Sequence, residues 1–270
     1  MEKIQQRYRY SYILLKQLVK TDFKLRYQNS VLGYLWSLIK PLALFTILYI
    51  VFVKFLRVGD QVPNFAIYLL LGIVLWNFFA EVTIGSVTLI VGKGDLLRKL
   101  NFPRYNIILA GSFSALINLF LNLLVVSIFM IFKGVDLRMD ALLFPLIIIE
   151  LYIFALALAF FLSALYVKYR DVNYIWEVFM QGAFYATPIL YPISIVVAKN
   201  ELAAKLLLIN PLAQIIQDAR YMLVTDKTVT ISSLYGNEYA RLIPITITIV
   251  VVVVASLYFR KRSKYFAEEI

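Results

Sequence analysis

The stretch GKGDLLRKLNFPRYN, Gly92 to Asn106, separates two long apolar runs and contains five charged residues. The apolar runs extend over residues 63–91 before it and 105–132 after it. A helix needs about 20 apolar residues to cross a bilayer, and both runs exceed that length. The stretch therefore predicts a short polar connection, outside the membrane, between two membrane-spanning helices.

The composition of the whole chain is typical of a multispanning membrane protein. Of its 270 residues, 62% are hydrophobic and 16% are charged, unlike a soluble domain. The chain has no cysteine and no histidine, which excludes disulfides, Cys/His zinc sites, thiol nucleophiles and Ser/His/Asp triads. Its net charge of +11 is spread between apolar runs instead of lying on one solvated face, so we expect no nucleic-acid partner.

Six apolar stretches predict an all-α integral membrane protein with six transmembrane helices. A seventh, Leu202 to Val224, is interrupted by Asn210-Pro211 and carries Asp218 and Arg220, so it is interpreted as two short half-helices. The six predicted spans are Val31–Val53, Pro63–Val91, Tyr105–Phe132, Ala141–Val167, Tyr174–Val197 and Leu242–Phe259.

The distribution of basic residues predicts the orientation of the spans. With six crossings, the N-terminus, the 92–104 and 168–173 loops and the C-terminus share one side, which holds eighteen of the 27 Lys and Arg residues. Cytoplasmic loops carry the excess of Lys and Arg. We therefore expect both termini to be cytoplasmic. A re-entrant or surface-lying pair of gate helices, about residues 192–224, would then lie outside between spans five and six.

The first thirty residues predict a cytoplasmic amphipathic helix that lies on the membrane, not a cleaved signal peptide. Lys16, Lys20 and Lys24 form one ridge, while Leu14 and Leu18 face the other way. Such a helix could serve only as a basic anchor on anionic lipid. Alternatively, it could also contact a cytoplasmic partner.

Two residues at the start of the first span have predicted backbone roles. Gly33 would permit close approach of another helix. Pro41 would open the span, because proline is tolerated best in the first turn of a helix.

The sequence favours transport over catalysis. Nothing in the chain matches G-x-x-x-x-G-K-[ST], the loop that binds nucleotide phosphates. No cluster of acidic residues is visible that would hold Mg²⁺ for a sugar-phosphate transferase. We therefore predict no enzyme activity, no metal site and no cofactor in this chain.

Several residues within the predicted spans are candidates for function. Glu150 lies in span four and would face either another helix or a water-filled path, since a charge in the bilayer is costly. Tyr185 and Tyr191, beside Pro188 and Pro192, could stack on sugar rings along a glycan path and external gate. Interfacial anchoring is the alternative for both tyrosines.

Four motifs in order resemble the ABC-2 type permeases that export polysaccharides. They are S-x-L-G-x-x-W-x-x-x-x-P at Ser30–Pro41, GDLLRKLNFPR after span two, YRD at Tyr169–Asp171 and NP at Asn210–Pro211. The resemblance covers essentially the whole chain. It includes the membrane subunits that export O-antigen, teichoic acid and rhamnose polysaccharides.

The resemblance implies a multi-pass protein of the bacterial cell membrane that forms a homodimer. Two copies of a separate ABC ATPase subunit would bind ATP and Mg²⁺, and the substrate would be an undecaprenyl-diphosphate-linked glycan. Residues 31–270 would form the transmembrane domain, with external gate helices at about Pro192–Val224. The stretches expected to contact the ATPase or the interface are Leu14–Tyr27, Gly94–Arg104 and Lys168–Asn173.

Local chemistry adds roles for individual residues in these stretches. Asp95 can cap a short helix that Pro103 stops. Arg98, Lys99 and Arg104 are predicted to bind the substrate diphosphate at the cytoplasmic entrance; alternatively, they only mark the inner side or pair with the ATPase. The resemblance further implies that the ATPase docks on Asp95, Leu96, Leu97, Leu100, Tyr169, Arg170 and Asp171.

Other functions remain compatible with the sequence. An ABC-2 exporter of drugs or small lipids would share the six-span plan, and a pore lined by Tyr and Phe would favour a glycan over a drug. A membrane-embedded transferase acting on lipid-linked sugars is a further alternative. A channel or secondary transporter is another, although the two halves of the chain show no convincing inverted repeat.

Overall fold

The computed structural model describes residues 12–22, 24, 32–58, 62–99 and 102–269. Within these ranges the chain consists of helices joined by turns and short loops, which agrees with the predicted all-α class. Leu100, and residues 1–11 and 25–30 of the predicted interface helix, lie outside the described residues.

The helices follow one another with short connections. Helix α1 covers residues 12–22, and α2 continues into a π-helix, Tyr49–Phe55. Short 3₁₀ segments, Met139–Leu143 and Glu238–Arg241, lead into α7 and α13. The remaining bounds are α2 Trp36–Leu48, α3 Phe65–Val87, α4 Leu89–Gly92, α5 Gly94–Lys99, α6 Tyr105–Phe132, α7 Phe144–Lys168, α8 Val172–Ala186, α9 Ile193–Lys199, α10 Glu201–Ile209, α11 Pro211–Leu223, α12 Ile231–Tyr235, α13 Leu242–Arg262 and α14 Phe266–Glu269.

Five helical stretches of the described residues are long and apolar enough to cross a membrane. They correspond to predicted spans one to four and six, and the chain is a multi-pass membrane protein. The stretches are Trp36–Phe55, Phe65–Val87, Tyr105–Phe132, Met139–Lys168 and Glu238–Arg262.

The fifth predicted span differs from the observed helix. We expected one stretch from Tyr174 to Val197, but α8 ends at Ala186 and α9 begins at Ile193. Pro188 and Pro192 account for the break, because proline lacks an amide hydrogen and disfavours helical backbone in the preceding residue. The 15 residues of α8 span about 22 Å, less than the roughly 30 Å of a bilayer core.

Helix α3 forms the centre of the bundle. It packs against α2, α6, α7, α8 and α11, and most of its residues are buried. A helix that is hydrophobic on every face is expected to be surrounded by protein or lipid. By contrast α2, equally apolar, has only Phe45 buried, and its other residues are half-buried or exposed. Composition alone does not distinguish these two environments.

The bundle has two distinct ends. The Lys93–Asp22 ion pair places α1 beside the 92–94 turn, and α14 packs against α5 and α7; we call this the termini end. The starts of α3, α7 and α13 surround α11 at the opposite end. Val172, at the start of α8, packs with Val87 and Leu162 at the termini end. Pro188, two residues after the end of α8, contacts Arg220 of α11 at the opposite end. The two ends of α8 therefore lie at different ends of the bundle.

The predicted roles of Gly33 and Pro41 are wrong. An added Cβ on Gly33 would meet no atom of the described residues within 4 Å, so none of them packs closely on this glycine; its φ of +51° instead favours glycine, which adopts positive φ without strain. Pro41 lies inside α2, five residues after its start. Because Pro41 has no amide hydrogen, it leaves the Ser37 carbonyl without its usual helical donor. Asn122 of α6 donates to that carbonyl at 3.3 Å.

Candidate functional site

The segment predicted to form the gate contains three helices, of which α11 is the most buried. Every residue from Pro211 to Arg220 is buried, and the helix packs against α3, α7 and α13. Its start follows from the Asn210-Pro211 pair: the Asn210 side chain accepts from the Leu212 amide at 3.0 Å, and proline is favoured in the first turn. Asn200 caps α10 in the same way, accepting from Ala203 at 3.0 Å. The interruption seen in the sequence is therefore the beginning of a buried helix.

Arg220 of α11 is fully buried and connects three parts of the chain. Its guanidinium donates to the carbonyls of Tyr68 (3.0 Å), Pro188 (2.6 Å) and Ile189 (2.7 Å). It also lies 3.7 Å from the centre of the Tyr68 ring, a cation–π contact. Burying an arginine is tolerated only when its donors are satisfied. These bonds therefore hold the break after α8 against the first turns of α3.

Gly72 makes room for this arginine. It lies two turns into α3, about 10 Å from the helix start at Phe65. A Cβ at this position would overlap Nη2 of Arg220 and approach Cζ to 3.0 Å. The glycine is therefore required by packing and not by its backbone dihedrals.

A second polar cluster lies beside Arg220 on the same helix. Arg241 donates through Nε and Nη2 to Oδ2 of Asp218 at 2.9 and 2.7 Å, and Gln214 donates to the same oxygen. Burial raises the pKa of Asp218, while Arg241 opposes that shift. Glu150 of α7 lies within electrostatic reach of Asp218 and Arg241. Glu150 thus faces the segment predicted as the gate rather than an open path.

A groove of about 650 Å³ opens on the side of the bundle between α2, α3 and α8. Trp76 and Phe184 form one wall, in an edge-to-face contact at 5.5 Å. Glu177 supplies a carboxylate that accepts from Asn173 at 2.8 Å. The lining residues are Leu44, Trp76, Asn77, Ala80, Ile84, Glu177, Met180, Gln181, Phe184 and Tyr185. Aromatic faces with nearby amide and carboxylate groups suit a polar ligand that has apolar faces, such as a sugar.

The three residues predicted for the glycan path separate in the structure. Tyr185 lines the groove and is 69% exposed. The Tyr191 hydroxyl donates to the carbonyls of Tyr185 and Ala186, both at 3.3 Å. Tyr191 therefore completes the end of α8. Glu150 lies with Asp218, away from the lining of the groove. The predicted set is not one contiguous site.

Two polar residues of α6 lie at the contact of α6 with α2 and α3. Asn118 donates to Glu81 at 2.8 Å, and Asn122 donates to the Asn118 carbonyl at 2.8 Å as well as to Ser37. Lys40, the other charge of this region, is exposed. In a membrane, helices associate through such hydrogen bonds because lipid supplies no hydrophobic driving force between them.

The residues predicted to contact the ATPase and the diphosphate lie at the termini end. Lys16, Lys20 and Lys24 are exposed and Leu14 is half-buried, as the amphipathic pattern predicts. On α5, Asp95, Arg98 and Lys99 are exposed, whereas Leu96 and Leu97 are half-buried, and Leu97 packs onto the main core. Arg104 donates through Nη1 to the Ser263 carbonyl. Tyr169, Arg170 and Asp171 are exposed after α7.

Sequence reasoning missed three residues that organise these regions: Gly72, Arg220 and Asn122. Arg220 carried the clearest signal, since a charge in an apolar segment must find partners. Asn122 follows from Pro41, which frees a carbonyl, but the sequence does not show which helix supplies the donor. Nothing in the sequence distinguished Gly72 from the other glycines.

Comparisons with known proteins agree with this architecture. A family model described as ABC-2 type transporter matches residues 13–224. A protein of Myxococcus xanthus named O-antigen export system permease protein RfbA is 28% identical over 258 residues, 95% of each chain. A protein of the same name from Klebsiella pneumoniae is 28% identical over 260 residues, 96% of this chain and 95% of its own. The family predicted from the motifs is confirmed: the chain belongs to the ABC-2 type transporter family.

Proposed function

We propose that this chain is the transmembrane subunit of an ABC transporter that exports a lipid-linked polysaccharide of the O-antigen kind across the bacterial cell membrane. The observation that carries the proposal is the match to two O-antigen export permeases over about 95% of both chains. The groove supports a glycan rather than a drug, because it combines Trp76, Phe184 and Tyr185 with polar Asn77 and Gln181.

The proposed topology has six crossings, with α8 as the fifth. Support comes from the two ends of α8, which lie at different ends of the bundle. The termini end would be cytoplasmic, as the basic residues predict. The helices α9 to α11 would then lie at the outer end, where α11 closes the space between α3 and α7.

The proposed assembly is a homodimer with two ATPase subunits. Exposed apolar side chains on α2 and α8, including Ile47, Ile175 and Val178, offer a surface for a second copy, which would complete the groove. The ATPase subunits would dock at the termini end on α5 and the 168–171 loop. They would bind ATP and Mg²⁺, since this chain has no phosphate-binding loop.

The proposed transport route begins at the termini end. Arg98 and Lys99, both exposed on α5, would pair with the substrate diphosphate, assisted by Arg104. The glycan would then move along the groove, with its sugar rings against Tyr185. Opening of the outer end would require the break after α8 to move relative to Arg220, whose hydrogen bonds hold it in place.

Reconstitution tests this function. The chain should co-purify with an ABC ATPase of its host, and proteoliposomes of the complex should translocate an undecaprenyl-diphosphate-linked glycan when ATP is present. Failure to bind any host ABC ATPase, or translocation without ATP, would contradict the proposal. Glycan turnover from a sugar donor without the ATPase would instead favour a transferase.

A variant in the groove tests the proposed path. Tyr185→Ala removes an exposed ring and should lower export several-fold without changing the melting temperature, because the side chain makes little internal packing. Phe120→Ala is the matched control, since Phe120 is similarly exposed, at 61%, but lies on α6 outside the groove. Equal export by the two variants would exclude Tyr185 from the path.

A further inference from the structure

The chain turns back on itself after α13. Residues Ser263–Glu269, which we call the C-terminal hook, comprise a turn and the short helix α14. Phe266 is fully buried and meets Phe259 edge-to-face at 5.6 Å, while Phe259 contacts Phe160 of α7 at 4.9 Å. The hook is therefore anchored in the core of the bundle by one aromatic side chain.

Polar contacts close the hook on both of its sides. Nη2 of Arg262 donates to both carboxylate oxygens of Glu269 at 2.8 Å, which ties the end of α14 back to α13. Arg104 donates to the Ser263 carbonyl, which ties the turn to the end of the 92–104 connection. Helix α14 itself packs against α5 and α7. The hook thus joins the last membrane-spanning helix to α5.

The other end of α5 is held by a second contact. Lys93, just before the helix, forms an ion pair with Asp22 of α1 at 2.6 Å, with both side chains about one-fifth exposed. Helices of four and six residues are far too short to be stable alone in water. The position of α5 is therefore determined by its contacts with α1, with the bundle and with the hook.

We propose that the C-terminal hook is a positioning element for α5 and forms part of the surface that receives the ATPase. The role in docking rests on the proposed function. Force applied by the partner to α5 would pass through Phe266 to α13 and α7 because these helices share one aromatic cluster. The exposed side of the hook, with Lys264 and Tyr265, would face the same partner.

Hydrogen–deuterium exchange of the purified full-length chain tests the positioning role directly. Phe266→Ala should raise the amide exchange rates of Gly94–Lys99 at least ten-fold, and Phe266→Leu should restore most of the protection. Tyr265→Ala is the matched control, because Tyr265 is the neighbouring aromatic residue but is 48% exposed. Unchanged exchange in α5 of Phe266→Ala would overturn the proposal.

A second variant opens the hook without creating a cavity. Glu269→Gln weakens the contact with Arg262 and should raise exchange in both α14 and α5, by a smaller factor than Phe266→Ala. If Phe266→Ala expresses poorly, this variant decides the question alone. Exchange that rises only in α14 would show that the hook does not position α5.

The docking role has its own readout in the complex with the ATPase. The Phe266→Ala variant should still co-purify with the ATPase. The complex should hydrolyse ATP but export several-fold less substrate per ATP hydrolysed. Normal coupling in a variant whose α5 exchanges faster would overturn the docking role. A wild-type chain that binds no ABC ATPase would contradict the proposed function, while the exchange experiment would still decide the positioning role.

Discussion

Replacing Gly72 by alanine should loosen the contact between α11, α3 and the break after α8. The new Cβ would overlap Nη2 of Arg220 and come within 3.0 Å of Cζ. The guanidinium cannot move without stretching its bonds to Pro188 and Ile189, which are 2.6 and 2.7 Å long. One added methyl group thus acts on three segments that are distant in sequence.

The expected magnitude follows from opposing contributions. Weakening a hydrogen bond to a buried charged group costs about 1.5–3 kcal/mol, and overpacking a core costs about 1–3 kcal/mol. In the opposite direction, the higher helix propensity of alanine compared with glycine stabilises the helix by up to about 1 kcal/mol. We therefore expect Gly72→Ala to lower the free energy of unfolding by about 1.5–5 kcal/mol.

Thermal unfolding of the purified chain in detergent measures this effect. The control is Gly85→Ala, in the same helix, where an added Cβ meets no atom within 4 Å; its melting temperature should stay the same or rise slightly. Arg220→Met should remove most of the penalty of Gly72→Ala in a double-mutant cycle, because no guanidinium remains to be displaced. Equal melting temperatures for Gly72→Ala and Gly85→Ala would refute the reasoning.

Two further predictions concern buried polar residues. Asn122→Ala should lower the free energy of unfolding by about 1 kcal/mol, because the hydrogen bond from Asn122 to the Ser37 carbonyl is lost. The loss should shrink in a Pro41→Ala background, where the restored amide can donate to the same carbonyl. A loss of equal size in both backgrounds would contradict this. The raised pKa of Asp218 means that its ionised form is disfavoured in the folded chain, so stability falls as pH rises above the ordinary Asp pKa of about 3.9. The wild type should therefore lose stability relative to Asp218→Asn as the pH rises above about 4 in thermal melts, whereas a difference that is constant with pH would refute the assignment.

Most of the helical framework could be predicted from the sequence because hydropathy reports directly on the membrane. Five of the six predicted spans match long apolar helices of the structure. The fifth differs because its predicted length relied on apolar residues beyond Ala186, where Pro188 and Pro192 break the helix. Hydropathy counts such residues as membrane-compatible whether or not the helix continues through them.

The candidate site was less predictable, and the reason is geometric. Tyr185 and Tyr191 were grouped because they are close in sequence, but they have different contacts. Tyr185 lines the groove, whereas the Tyr191 hydroxyl bonds to backbone carbonyls at the end of α8. Glu150 was predicted to face either another helix or a water-filled path, and in the structure its side chain is half-buried. The charged residues that act on it electrostatically, Asp218 and Arg241, come from segments 68 and 91 residues away in the numbering, and no local sequence pattern indicates them.

The sequence by itself determined the membrane-spanning class, the family, the positions of most helices and the polar character of the 92–104 connection. These properties depend on composition, short motifs and local backbone preference, all of which can be determined from one segment of the chain at a time. Three features were decided only by the tertiary structure. Most residues of α3 are buried whereas only Phe45 of α2 is, Arg220 lies against Gly72, and the helix that carries Phe266 packs against α5. Each of these contacts joins segments far apart in sequence, and its energy exists only when the helices are packed.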